Sequence, residues 1–197
     1  MLTIVLTGLI SAAASAVDAE RSFSVAAQRE GQSAAFRAYA DPDAVIFTPQ
    51  AVWAHDFIKG KEELKGSSTW SANVSYVSCD GQLAVNTGPW RSTDKGRFFT
   101  TVWEMEGGQW HWISHGRHAT VKPPVASAKP IVRRGSCEGR APGPPLSSPP
   151  TTKPGPEGAK PDDFGRGYSA DRTLGWEWRV GPNRSRQFRA YLWTGKR

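Results

Sequence analysis

Between Trp70 and Ala119 the chain writes four runs of alternating apolar and polar residues, separated by short turn sequences. Alternation of period two places every second side chain on one face of a strand. Trp70, Ala72, Val74 and Tyr76 alternate with Ser71, Asn73 and Ser75 within 69–79. Asp80-Gly81 is a strong hairpin signal, and 82–90 returns from it. Asp94-Lys95-Gly96 and Gly107-Gly108 mark two more turns, around strands expected at 97–106 and 109–119. Antiparallel strands joined by short turns form a meander. The last two carry Trp103, Trp110 and Trp112, so one face of this sheet is broad and aromatic.

Ahead of the meander, 20–41 has helical spacing. Phe23, Ala26 and Ala27 recur at three and four residues, then Ala34, Ala35, Ala38 and Tyr39. Gly31 divides this stretch into a first helix and a second over 32–40. Asp41-Pro42-Asp43 stops the second helix, because proline disfavours a helical residue before it. A strand is expected at 44–48, ended by Pro49. Residues 51–58 show neither period and read as irregular with Trp53 as anchor, and 59–65 reads as a helical turn over a loop. The fold class is α+β: a curved antiparallel sheet packed on N-terminal helices.

The rest is unlike this domain. Eleven of the 15 prolines lie in 122–163, a stretch that reads as a linker. In 164–197, Leu174, Trp176, Trp178 and Val180 alternate with Gly175, Glu177 and Arg179, and 187–193 returns after Gly181-Pro182-Asn183. A lone hairpin is marginal in water, so this one must dock on the sheet or on a second copy of the chain. The net charge of +7 is concentrated here: 122–197 holds 15 basic and 6 acidic residues, whereas 20–121 holds 10 and 11. A basic tail suits an anionic envelope surface, or is simply a solvated face. Arginines near Trp176, Trp178, Tyr191 and Trp193 could stack bases, but export makes nucleic acid an unsuitable partner.

Export is expected from the N-terminus. Leu2 to Ile10 is an apolar run too short to span a bilayer, followed by the small-residue patterns Ala14-Ser15-Ala16 and Val17-Asp18-Ala19. No Lys or Arg precedes the run, and the competing reading is a buried N-terminal helix. The expected division is a signal peptide over 1–19, the domain over 20–121, the linker, and the hairpin over 164–197, in a periplasmic or secreted protein. Cys79 and Cys137 then either pair in an oxidising compartment or stay as thiols.

Two helices, a strand within Asp-Pro-Asp-Ala-Val-Ile-Phe, a loop, and a meander ending Thr-Thr-Val-Trp-Glu…Gly-Gly-Gln-Trp-His-Trp-Ile-Ser-His follow in that order. This order resembles the nuclear transport factor 2-like superfamily, particularly its bacterial SnoaL-like domains of unknown function, over about residues 20–119. Ala35-Phe36, 43–47, Thr87-Gly88 and Thr101-Val102-Trp103 carry the likeness. The resemblance implies a cone, with the sheet wrapped around the helices and a pocket at its open end. It also implies a homodimer through the outer sheet face. Members include ketosteroid isomerases, dehydratases, polyketide cyclases and non-catalytic domains, so the fold does not choose a function. The isomerase pair, a Tyr with a protonated Asp opposite a carboxylate base, has no counterpart in this sequence.

On this reading the pocket is lined by Trp70, Tyr76, Asn86, Trp90, Phe99, Thr101 and Trp103, a set suited to a small apolar or amphipathic molecule. The same aromatics could equally be ordinary core. His115 is the candidate general base of an isomerase, lyase or cyclase, sharing a strand face with His111 and Ile113. No cofactor is implied and no metal. His111 and His115 would point the same way but lie about 13 Å apart at strand rise, and His118 points to the other face. The leading expectation is a binding domain without an assigned reaction. A third reading is an interaction module working through the basic hairpin.

Overall fold

The computed structural model describes residues 14–59, 68–92, 96–119, 124–139, 141–142, 163–181 and 183–196. Helix α1 (Ala16–Arg29) starts at a capping box, in which Ser15 and Asp18 satisfy each other's backbone N–H groups. Its buried stripe is Ala16, Ala19, Glu20, Phe23 and Ala27. Both cleavage-like patterns fall at the start of this helix, and a cut after either would remove Ser15. Helix α2 (Gln32–Tyr39) follows Gly31, whose φ of 99° is open to glycine. Strand β1 (Ala40–Phe47) begins four residues before the expected start. Pro42 is tolerated because the ladder to the neighbouring strand is irregular between Ala40 and Val45. The stretch expected to be irregular forms β2 (Ala51–Trp53) and α3 (Ala54–Ile58). The helical turn expected over 59–65 lies outside the described residues beyond Lys59, and the turn at Gly96 does so for 93–95.

The meander is present as β3 (Thr69–Trp70), β4 (Val74–Val77), β5 (Leu83–Arg91), β6 (Gly96–Glu106) and β7 (Gln109–Ala119). With β8 (Ile131–Arg134) they form a curved sheet of order β2-β1-β7-β6-β5-β4-β8, with β3 paired to β5. Gly107 and Gly108, at φ 57° and 84°, make the β6–β7 turn. The pairing is antiparallel except for β1 with β7 and β4 with β8. β8 arises inside the stretch read as a linker. It is exposed at all four positions, so a polar segment can add backbone hydrogen bonds at the sheet edge without burying side chains.

Two one-residue bulges set which side chains face the helices. Trp70 pairs with Trp90 and Val74 with Thr87, so residues 71–73 oppose only 88 and 89. The alternation is reversed by this extra residue. Trp70 and Ala72 face α1, and beyond the bulge Val77 does so while Tyr76 packs on the opposite face. In β7 the pairings Val102–Ser114 and Trp103–Trp112 leave Ile113 as the extra residue.

The C-terminal segment holds three strands rather than two: β9 (Phe164–Tyr168), β10 (Leu174–Val180) and β11 (Arg186–Leu192), with β10 central. Of the two docking choices, the sheet is taken. Leu174, Trp176, Trp178 and Val180 pack on Val45, Ala51, Leu83, Val85 and Val102 of the outer face. The expected dimer face is thus covered in part from within the chain. The tryptophans of the expected interaction surface, Trp176 and Trp178, are buried there. Cys79 and Cys137 form a disulfide beside this contact, where Cys79 N–H donates to Thr173 Oγ1 at 2.8 Å.

Gly88 makes the first bulge possible: a Cβ there would lie 2.0 Å from the Ser71 carbonyl oxygen and 2.8 Å from the Asn73 nitrogen. Gly88→Ala should therefore cost about 3 kcal/mol by overpacking against backbone, read as a lower urea midpoint at unchanged m-value.

Candidate functional site

Glu20 lies at the centre of the cone, fully buried on the apolar stripe of α1. Its carboxylate accepts four hydrogen bonds from three strands. Trp70 Nε1 donates to Oε1 at 2.8 Å and Trp103 Nε1 to Oε2 at 2.6 Å. Asn86 Nδ2 donates to Oε2 at 3.2 Å and Thr101 Oγ1 to Oε1 at 3.3 Å. Four donors match the acceptor-only character of an ionised carboxylate. Burial pushes the carboxyl pKa up to about 7, while the hydrogen bonds pull it back down.

Thr101 extends this network. Its Oγ1 is also 2.9 Å from Nδ1 of His115, directly across the β6–β7 ladder. A hydroxyl has one proton to give. If Thr101 donates to the carboxylate, it must accept from Nδ1–H, so the proton of neutral His115 sits on Nδ1 and Nε2 carries the lone pair. His115 is almost fully buried, and Nε2 has no hydrogen-bond partner among the described residues. Burial, then the charges of Arg117 and Arg186, hold its pKa well below the ordinary imidazole value.

His115 borders a cleft of about 120 Å³ between α2, α3, β1 and β7. Phe36, Ile46, Phe57 and Ile58 supply apolar wall, and His115, Gly116 and Arg117 form the β7 side. The Arg117 guanidinium lies over the Trp90 ring, 4.9 Å from its centroid. Arg186 of β11 lies against the outer face at Gly116, where a Cβ would be 1.4 Å from its guanidinium nitrogen. Its cation sits over Phe47 at 4.2 Å, and burial followed by repulsion from Arg117 lowers its pKa to about 10. Two guanidinium groups thus flank His115 from opposite faces of β7.

The expected pocket residues are only partly brought together. Trp70, Asn86, Trp90, Phe99, Thr101 and Trp103 share the inner face and are buried, but they fill the cone as core or bind Glu20. Phe23 plugs the middle, with Trp70, Trp103, Trp112 and His115 within 6.1 Å between ring centroids. None of the seven borders the cleft. Tyr76 is on the outer face because of the first bulge. The second bulge separates the set His111, Ile113 and His115: Ile113 packs with the outer cluster, while His115 faces Phe23 and Phe36. His118 stacks on Phe98, with centroids 4.6 Å apart. Sequence reading missed Glu20 and Arg117. The signal for Glu20 was available: a carboxylate four residues after Ala16 and three before Phe23, within the apolar stripe of its helix.

No family model matches the chain, and no curated protein does. Three solved structures are similar in fold. One is described as a calcium/calmodulin-dependent protein kinase II association domain from Xanthomonas campestris, at 16% identity and TM-score 0.41 over 52% of this chain and 83% of that one. Another is the kinase II hub homology domain of Chlamydamonas reinhardtii, at 18% identity and TM-score 0.42 over 56% and 99%. A third, from Kribbella flavida, is named as a ketosteroid isomerase, at 14% identity and TM-score 0.38 over 56% and 82%. The architecture itself, two helices held in a curved and unclosed sheet, is the one implied by the sequence resemblance.

The raised Glu20 pKa has a defined sign. The folded state holds the proton more tightly than the unfolded chain, whose value is 4.5. Stability from this group is full below pH 4.5 and is lost as pH rises to about 7, by about 3 kcal/mol. His115 and His118 act oppositely below 6.5, because the fold holds them neutral. Carbon-13 detection of Glu20 Cδ should show a midpoint near pH 7. Glu20→Gln should remove the matching loss from the pH dependence of urea unfolding.

Proposed function

We propose that the chain is an exported domain that binds a small amphipathic molecule in the cleft beside His115 and Arg117. One observation carries this reading: a nearly fully buried imidazole, its Nε2 without a partner among the described residues, belongs to a residue that lines a cleft with apolar side chains in its wall. A buried acceptor without a partner costs about 1–3 kcal/mol, which a ligand hydrogen-bond donor would recover. The cleft is near the size of cavities that hold one benzene ring, so a ligand of about six or seven heavy atoms fits it. Arg117, on the β7 side of the cleft, favours a ligand carrying oxygen acceptors or partial negative charge. The disulfide supports an oxidising compartment.

The enol form of 2,4-pentanedione matches this description, with an O–H donor, a second oxygen and seven heavy atoms. Titration into nitrogen-15-labelled protein should move the His115 Nε2 resonance saturably. Arg117→Met should weaken that binding about tenfold, the effect of one hydrogen bond to a charged group. An unmoved His115 signal would overturn the cleft as a binding site.

A further inference from the structure

The outward face of the C-terminal sheet takes no part in the cleft. Trp176 and Trp178 turn inward onto the cone, so Glu177, Arg179 and their cross-strand partners face away from it. Tyr168, Gly175 and Tyr191 form one row across this face. Arg166, Glu177 and Arg189 form the next, and Phe164, Arg179 and Gln187 the third. We propose that this face docks on a membrane surface of anionic phospholipid headgroups.

Charge complementarity is the first support. Residues 163–196 hold six arginines, one lysine and three acids. Arg186 lies against the cone at Gly116, and the remaining cations still outnumber the acids. Two of those acids are engaged within the fold. Glu177 accepts from Arg189 and from Tyr191, each at 3.1 Å. Asp171 accepts from the Ser169 hydroxyl, from Thr173 and from the Asp80 N–H, which fastens the β9–β10 turn.

The backbone of the turns is a second and independent support. Among the described residues, Arg172 and Arg184 are the two non-glycine positions with positive φ, at 60° and 62°. Each sits in one of the two turns of this sheet, so they stand at opposite ends of β10. A residue with a Cβ is strained in that conformation. Glycine or asparagine would relieve both turns, so turn geometry gives no reason for arginine there. A negatively charged partner does.

The arrangement selects the occupant. The Arg172 guanidinium lies over the Tyr168 ring and that of Arg179 over Phe164, each 4.8 Å from the centroid. A ring with a cation on its face is a poor platform for a base or a sugar, which disfavours partners that bind by stacking. The rings instead hold two guanidinium groups in place, and this lowers the ordering cost of binding. Arginines lie on all three strands and in both turns, a two-dimensional array rather than a track. A headgroup plane offers phosphates in the same two dimensions, and the arginine fork meets phosphate through paired hydrogen bonds. Tyr168, 45% exposed, adds an amphipathic ring of the kind found at membrane interfaces.

The test sediments the full chain with vesicles of phosphatidylglycerol and phosphatidylcholine in equal parts, or of phosphatidylcholine alone. The chain should pellet with the first, stay in solution with the second, and be released by high salt. Arg172→Asn, Arg184→Asn and Arg179→Gln should each weaken binding about fivefold. Asparagine adopts positive φ readily, so the first two variants should melt no lower than wild type. Arg37→Gln, on the exposed side of α2, should bind as wild type does. Binding that none of the three substitutions weakens, or that Arg37→Gln weakens equally, overturns this face as the docking surface. So does a chain that stays in solution with phosphatidylglycerol vesicles. Retention of that chain by single-stranded DNA or polygalacturonate would assign the face to a linear polyanion instead.

Discussion

The carboxylate of Glu20 is the point on which helix and sheet are assembled. It accepts from Trp70, Asn86, Thr101 and Trp103, so α1 is fastened to β3, β5 and β6 by one charged group. Asn86 also donates to the Ala16 carbonyl, which fixes the first turn of the helix over the same strands. Removing a single donor would leave a buried charge under-solvated, an expensive defect. Burying the charge is itself costly, and an apolar replacement of similar volume would avoid that cost. The network therefore orients its members more than it stabilises them. It sets the indole planes of Trp70 and Trp103 and presents the Thr101 hydroxyl to His115.

What surrounds Glu20 also explains why the cone is full. Phe23 occupies its axis and contacts rings from α2 and three strands. Trp70 and Trp90 stack with centroids 4.2 Å apart. A face this rich in large side chains leaves little empty volume in so small a sheet. The free space lies to the side, between α2, α3, the end of β1 and β7. The cleft is thus a consequence of how much aromatic volume the meander carries.

Much of the fold is legible in the sequence. Period-two runs and the Asp80-Gly81 and Gly107-Gly108 turns give the meander, and three- and four-residue spacing gives the helix pair. The site is less legible because it depends on parity. One extra residue opposite Gly88 sends Tyr76 outward, and one at Ile113 places His115 opposite to its expected neighbours. A bulge inserts no distinctive residue of its own, so a strict alternation carries through it on paper and fails in space. β8 is hidden for a different reason. Edge pairing satisfies backbone groups and asks nothing of the side chains, so it leaves no apolar pattern. Glu20 was visible as a residue out of keeping with its stripe, but setting aside 1–19 made it read as the first residue of a helix rather than a member of its buried face.

The C-terminal sheet ties these levels together. Its four alternating apolar residues cover outer-face positions that an isolated cone would leave exposed or give to a second copy. The disulfide joins residues 58 apart, limiting the freedom of the chain that leads to this sheet. The same docking brings Arg186 to Gly116, where the absence of a side chain admits a guanidinium against the strand. Arg186 thus stands behind His115, and Arg117 in front. Neutral imidazole is the favoured state between two cations, and only a negative charge in the cleft would offset their repulsion. The appendage is therefore part of the site's electrostatics. A cone stripped of it would keep Glu20 and Thr101, but would hold His115 in a different field.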